Sequence, residues 1–414
     1  MKELYPCVCG LDVHKKAVVA CLRRIGEQGR IHREVRTFGT MTRHLVALRE
    51  WLRQAEVTHV AMESTGVFWK PVYNVLEGHF AQVVLVNAQH VKNVPGRKTD
   101  VGDAEWIAQL LQCGLLRASF VPARGLRELR ELTRHRTQLT QQQAAVANRI
   151  HKVLEDANIK LAAVATDILG VSGRAMLEAL IGGQTDTAQL AELARGQLRG
   201  KIPELRVALE GHITDHHRFE LRTLLAHYDF LGQQIEALSA RLEEVSPRPF
   251  REAIALVCTM PGTQARSAEN VLAETGIDMS QFPSAKHLNS WAAICPGNHQ
   301  SGGKSKTGKT RKGNRWLRGA LGPMARGGAR TKGTYFRTQF QRLCTRRGKQ
   351  RALVAVQHTQ LTAIYHMLKH QLPYAELGAD YFERRDAARL TRHHVNRLER
   401  LGHKVTLIPI GDAP

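Results

Sequence analysis

Between Met279 and Ala375 the chain has no aspartate and no glutamate, although 18 lysines and arginines fall in those 97 residues. A solvated surface normally intersperses both signs. A run of one sign repels itself unless a polyanion neutralises it, so this stretch is expected to contact nucleic acid. It supplies +18 of a formal net charge of +23. Cys-x-x-Cys pairs are also missing. The seven cysteines (Cys7, Cys9, Cys21, Cys113, Cys258, Cys295 and Cys344) are scattered, which argues against a disulfide framework or a cysteine zinc ribbon and fits a reducing cytosol. No run of about 18 apolar residues occurs, which argues against a helical membrane span. The opening MKELYPCVCGLDVHKK has neither the apolar core nor the cleavage site of a secretion signal, so a cytoplasmic protein with no membrane partner is expected.

What is present describes a globular chain. With 414 residues, 43% of them hydrophobic and 23% charged, two or three domains are expected. Residues 5–23 hold two apolar runs separated by a polar His-Lys-Lys, the pattern of a strand hairpin. Ile31–Phe38 is a third strand, and from Thr40 a helical stretch places Leu45, Leu48 and Leu52 on one face. A strand at 57–63, a helix through Trp69–Leu76, a strand at 81–87 and a helix from Val101 to Cys113 follow. Strand, strand, strand, helix, strand, helix, strand, helix is the order of a ribonuclease-H-like domain, over residues 1–123.

Residues 124–160 change character, becoming polar, rich in Gln and Arg, and free of proline. Leu132, Leu139, Val146 and Val153 recur every seven residues, with Leu129 and Ile150 on the neighbouring seam, interrupted by Arg136 and Gln143. Between Leu221 and Val245 both heptad rows are complete. Such seams predict a coiled-coil arm over 124–249, either an antiparallel hairpin or a dimerisation element, with an ordinary helical bundle as the alternative. Shorter helices with Gly-rich joints lie between, and Pro247 and Pro249 end the arm. A mostly α-helical basic domain spans 250–385, and 386–414 is a basic tail. The fold class is therefore α/β plus α.

Four carboxylates attract chemistry. Asp12 sits inside an apolar strand, where a charge is costly unless it is paired or holds a cation. Glu63 ends another apolar strand. Asp100 and Asp103 are spaced to share one face at a helix start. Singly, such residues serve as caps or dipole partners near helix starts. Together they make a hard oxygen set suited to Mg²⁺ or Mn²⁺. Two such ions about 4 Å apart activate a nucleophile and stabilise the leaving oxygen of a phosphodiester.

The segments GLDVHKK, MESTGVFWKPVYNVLE (62–77), KTDVGDAEWIAQLL (98–111) and SGGKSKTGKTRKGNRWLRGAL (301–321) together resemble the insertion sequence 110 family of transposases, which includes the Piv-type DNA invertases. The resemblance runs from about residue 7 to residue 385. It implies a RuvC-like N-terminal domain whose DEDD set falls on Asp12, Glu63, Asp100 and Asp103. It also implies a coiled-coil arm and a C-terminal transposase domain with a nucleophilic serine, which falls on Ser301. Members are taken to act on DNA through a circular intermediate and to be guided by a structured bridge RNA. By its residues alone Ser301 reads as a serine of a flexible loop. It has no His–Asp pair beside it, so the metal site is expected to help activate it.

Lys304, Lys306, Lys309, Arg311, Lys312, Arg315 and Arg318 follow, interspersed with glycine, and read as clamps on a phosphate backbone. Trp316 reads as a buried or base-stacking ring. Residues 256–276 look like one helix-hairpin-helix unit, with Gln264 where the second hairpin glycine belongs. His14 matches the family motif, while the pairs His216–His217 and His393–His394 read as surface residues. An even-numbered assembly, dimer or tetramer, is expected. The rivals are a structure-specific, metal-dependent nuclease resembling a Holliday-junction resolvase, and a non-catalytic nucleic-acid-binding repressor.

Overall fold

The computed structural model describes residues 3–26, 29–64, 66–87, 102–296, 299–301, 304–306, 310–311 and 313–407. The chain divides into two compact units, Met1–Pro122 and Ala123–Pro414. Among the described residues no helix is long and apolar enough to cross a membrane.

The first unit is built on a five-stranded mixed sheet in the order β3-β2-β1-β4-β5. β1 (Cys7–Val13), β2 (Ala17–Ile25) and β3 (Ile31–Gly39) form an antiparallel meander. β4 (His59–Glu63) and β5 (Gln82–Val86) extend it in parallel from β1. β1 is apolar almost throughout because helices cover both its faces. β3 is the opposite case: an edge strand, mostly exposed, carrying Arg33, Glu34 and Arg36, charges that discourage pairing with another chain.

On one face, α1 (Thr42–Gln54) and α2 (Trp69–Leu76) bury Leu45, Leu48, Leu52, Val72 and Leu76 against Cys9, Leu11, Val13 and Met62. On the other, α3 (Asp103–Gln112) sets Ile107, Leu110 and Leu111 against Val8, Ala61, Val84 and Val86. Gly10 lets α3 lie this close. A Cβ there would stand 2.3 Å from the Ala104 carbonyl oxygen and from the Ala108 amide, and backbone of that kind has no room to yield. The helix starts at Asp103, two residues later than the pattern predicts, after Gly102 in extended backbone. Asp100, expected to share a helical face with Asp103, lies outside the described residues.

In the second unit, α4 (Arg124–Asp156) and α9 (Asp215–Val245) are the two long helices. They run antiparallel: Leu129 shares a core with Leu242, the Gln143 side chain donates to the Tyr228 carbonyl at 3.2 Å, and Asp156 meets His217 at 2.9 Å. The seams thus face each other within one chain. Their polar interruptions are both partnered. Gln143 fits opposite Gly232, and buried Arg136 pairs with Glu269 and Asn270. His217, expected at the surface, is largely enclosed and forms the capping box of α9 with Thr214.

Four short helices, α5 (Leu161–Val164), α6 (Val171–Ile181), α7 (Thr187–Glu192) and α8 (Ile202–Ala208), close the far end of this pair around Leu161, Met176, Leu177, Leu190 and Leu205. At the other end Leu129 and Leu242 enter a larger core. That core is shared by α10 (Arg248–Cys258), α11 (Ala265–Thr275), α12 (Ala285–Trp291), α13 (Arg315–Arg330), α14 (Tyr335–Arg347) and α15 (Lys349–His370). In the turn between α10 and α11, Gly262 packs directly against Gly327 and Gly328 of α13. A Cβ on Gly262 (φ +78°) would lie 2.0 Å from the Gly328 amide nitrogen. α16 (Tyr381–Arg385) and α17 (Ala387–Arg400) follow, and Asp386 between them gathers Arg342, Arg385 and Arg389.

Candidate active site and nucleic-acid interface

Strand register brings the carboxylates of the first unit together. Leu11 on β1 lies beside Met62 on β4, so Asp12 and Glu63 are neighbours one residue further on. Alternation along each strand gives them the same face. Asp12 follows Gly10 by two residues and Glu63 follows Ala61 by two, and Gly10 and Ala61 both lie under α3. Both acids stand at the C-terminal ends of parallel strands, where open sheets bind ligands. α3 runs antiparallel to β1: Ala104 and Ala108 lie over Gly10, while the Gln112 carbonyl accepts from the amides of Leu4 and Tyr5 before β1 begins. Its N-terminal residue, exposed Asp103, is therefore at the Asp12 end of the sheet.

Asp12 and Glu63 are partly buried, and His14 reaches back to Asp12 with its Nε2 at 2.9 Å from Oδ2. Glu105, one turn from the N-terminus of α3, has a different duty. It pairs with Arg33 at 2.5 Å and Arg23 at 3.9 Å, tying α3 to β2 and β3. Among the described residues no three His, Cys, Asp or Glu side chains lie close enough to hold a metal ion together. The donor chemistry of Asp12, Glu63 and Asp103 still suits a hard divalent cation. Soft ligation is disfavoured here. Burial pushes the Cys9 thiol well up and raises Cys21, beside Glu105, to about 11, so both stay protonated at neutral pH.

In the second unit Ser301 lies in a small hairpin rather than a loop. β6 (His299–Ser301) pairs antiparallel with β7 (Lys304–Lys306), Ser301 opposite Lys304 and Gln300 opposite Ser305. The hairpin is closed at its base by a bridge between Pro296 and Thr310. Two of the expected phosphate clamps also fasten this base. Arg311 donates to the Ser290 hydroxyl at 2.9 Å and its carbonyl at 3.1 Å, and Arg318 donates to the Arg311 carbonyl and the Thr310 hydroxyl. Arg315 is exposed on the first turn of α13. Lys304 and Lys306 lie in β7, while Lys309 and Lys312 lie outside the described residues.

One functional feature escapes sequence reasoning altogether. Glu274, 1% exposed, receives both nitrogens of a forked Arg134 pair at 2.6 and 2.8 Å, with Arg130 at 3.5 Å. Asn314 donates to the same carboxylate at 2.5 Å, and its own side-chain oxygen caps α13 at the amides of Trp316 and Leu317. The long helix α4 is thereby joined to the start of α13, just beyond the Ser301 hairpin. Burial draws the Arg130 pKa down while Glu274 opposes that shift. Glu274→Leu would leave two guanidinium groups without their carboxylate, and breaking a buried pair costs about 3–5 kcal/mol. At about 2–4 °C per kcal/mol, calorimetry is expected to show melting lowered by roughly 10 °C. Adding Arg134→Met should restore part of the loss. A single variant that melts like the parent would contradict this role.

A mixed sheet with Asp12, Glu63 and Asp103 toward one end, and a strongly basic helical unit, suit a protein that acts on DNA. The comparisons with known proteins agree. A transposase profile of the IS110 DEDD type matches residues 9–159, and the transposase profile of the IS116/IS110/IS902 family matches residues 254–341. A relative described as a probable family 20 transposase, from Pseudomonas aeruginosa strain PAO1, is 26% identical over 283 residues. That alignment covers 66% of this chain and 72% of the relative. The chain belongs to the IS110 family of transposases.

Proposed function

We propose that this transposase moves an insertion sequence by metal-dependent cleavage of DNA, with Ser301 as the attacking group. The observation that carries the reading is the pairing of Asp12 with Glu63 on one face, at the ends of two parallel strands, beneath the start of α3. The sheet order supports a RuvC-like catalytic domain over residues 1–123, and the antiparallel helices support a coiled-coil arm over 124–249. Residues 250–385 form the transposase domain in this reading, and 386–414 a basic tail.

Asp12, Glu63, Asp100 and Asp103 would hold Mg²⁺ or Mn²⁺, two ions in all, each stabilising charge on phosphate oxygens. Ser301 gives up its hydroxyl proton as Oγ bonds to phosphorus. The bond from phosphorus to the departing sugar oxygen breaks, and that oxygen leaves as a hydroxyl. A phosphoserine link remains, and the reverse attack by a DNA hydroxyl restores the serine. One phosphodiester is exchanged for another, so no nucleotide cofactor is needed.

Lys304, Lys306, Lys309, Lys312 and Arg315 supply phosphate contacts, which fix position on the backbone and carry no sequence information. A structured guide RNA would supply the choice of site, and a dimer or tetramer the pairing of DNA ends. The test is recombination in vitro with Mg²⁺, element DNA and the RNA that copurifies. Joined product that disappears on chelation and returns with Mg²⁺ is expected. Prior ribonuclease treatment should abolish it as well. Full activity after complete ribonuclease digestion would remove the guide from the account, and full activity in chelator would remove the metal.

A further inference from the structure

We propose that a cleft between α4, α11 and the start of α13 binds one unpaired nucleotide, its base lying on Trp316. This inference rests on the reading of the second unit as a nucleic-acid surface. α13 sends Leu317, Ala320, Leu321 and Met324 into the core, yet Trp316 beside them stays partly exposed and outside that cluster. Leaving a ring of this size out of a core forgoes one of the largest apolar contributions a side chain makes. The ring instead lines a cleft of about 220 Å³, with Thr137 on one wall and Ser267 on another. That is smaller than the roughly 300–1,000 Å³ of pockets for drug-sized molecules and suits one flat group.

The chemistry of the rim selects the group. Arg134 and Arg315 approach the indole with their guanidinium carbons 5.7 and 4.5 Å from its centroid. Arg134 is neutralised by Glu274, whereas Arg315 has no carboxylate within ion-pair distance among the described residues. The Arg315 guanidinium lies over the indole ring and exposed Arg266 lines the cleft, so aromatic and cationic groups meet there, which calls for a planar ring attached to an anion, as a nucleotide provides. The Thr137 hydroxyl donates to its own helix at 2.8 Å and keeps acceptor capacity for a base amino group. A base within a duplex presents only its edges, so the occupant is a base outside the stack.

Gly319 gives the cleft a direct test. It lines the cavity, and a Cβ added there meets nothing within 4 Å, so a side chain introduced at this position starts in open space at the cleft. The full-length protein would be titrated, at one fixed salt concentration, with a labelled single strand of DNA, the same sequence as RNA, and the DNA duplex. Trp316→Ala and Gly319→Leu are each expected to weaken single-strand binding about tenfold, the scale of one base stack. Duplex affinity should change less than about twofold. Trp316→Phe should retain most of the affinity, and Gly319→Ala should lose less than Gly319→Leu. Whichever of the DNA or RNA strands carries the effect identifies the source of the nucleotide. Unchanged single-strand affinity in both Trp316→Ala and Gly319→Leu, or equal losses on strand and duplex, would overturn the pocket alone. A parent protein that binds none of the three would overturn the nucleic-acid reading of this unit along with it.

Discussion

Asp12→Asn is expected to lower DNA strand cleavage by at least about a thousandfold while leaving DNA affinity within a few-fold of the parent. The substitution keeps the size of the side chain and removes the charge. At its position, between the apolar core of β1 and the start of α3, that charge has one ion-pair partner among the described residues, His14. A divalent cation contributes several kcal/mol of charge stabilisation in phosphoryl transfer, and each 1.36 kcal/mol is a factor of ten in rate. Glu63→Gln should behave alike, because Glu63 occupies the adjacent register on the same face. The fold should survive, since among the described residues neither carboxylate ties one helix or strand to another. Glu105 makes the useful contrast. Its pairs with Arg33 and Arg23 are structural, so Glu105→Gln should affect stability before it affects chemistry. Rates from single-turnover cleavage, read beside binding by anisotropy, separate these outcomes. An Asp12→Asn protein that cuts at a tenth of the parental rate or faster would remove the carboxylates from the reaction.

Ser301→Ala is expected to abolish both cleavage and strand joining, again by about a thousandfold or more, with melting unchanged within a degree or two. The expectation follows from where the residue sits. It ends a three-residue strand, opposite Lys304, in a hairpin closed by Pro296 and Thr310 and pinned by Arg311. The substitution removes one oxygen and keeps the backbone pairing with Lys304 available, so the fold is expected to persist. Loss of the hydroxyl would remove the nucleophile, and serine chemistry has no substitute in alanine. The competitor is Ser305, opposite Gln300 on the paired strand. Ser305→Ala should retain activity. A Ser301→Ala protein that still cuts while Asp12→Asn does not would describe a nuclease using water, and the phosphoserine step would fall.

The first unit was largely legible from sequence because its signals are local. Largely apolar runs of five to nine residues bounded by polar turns mark four of the five strands, and Asp12 stands out as a charge inside one of them. α2 begins and ends where its pattern does, at Trp69 and Leu76. The side-by-side placement of Asp12 and Glu63 was less legible, since it depends on a parallel register across 51 residues of chain. Gly10 gave no local sign of its importance; the helix that needs it lies almost a hundred residues away. Glu274 was hidden for the same reason. Its period on α11 reads as a surface acid, and its partners Arg130 and Arg134 read as a solvated face of the long helix. Arg136 did leave a trace, as a break in the heptad row, but only its buried pairing with Glu269 explains the break. The Ser301 hairpin escaped because three-residue strands are too short to show alternation and Gly302–Gly303 reads as a loop.

A covalent link between Ser301 and DNA can be trapped. The protein would be mixed with element DNA and Mg²⁺, quenched with denaturant, digested, and examined by mass spectrometry for a peptide carrying a nucleotide. The account predicts one modified peptide, with the phosphate on Ser301, absent from Ser301→Ala and from reactions of Asp12→Asn. Cleaved DNA with free ends, no modified peptide, and undiminished cutting by Ser301→Ala would contradict it.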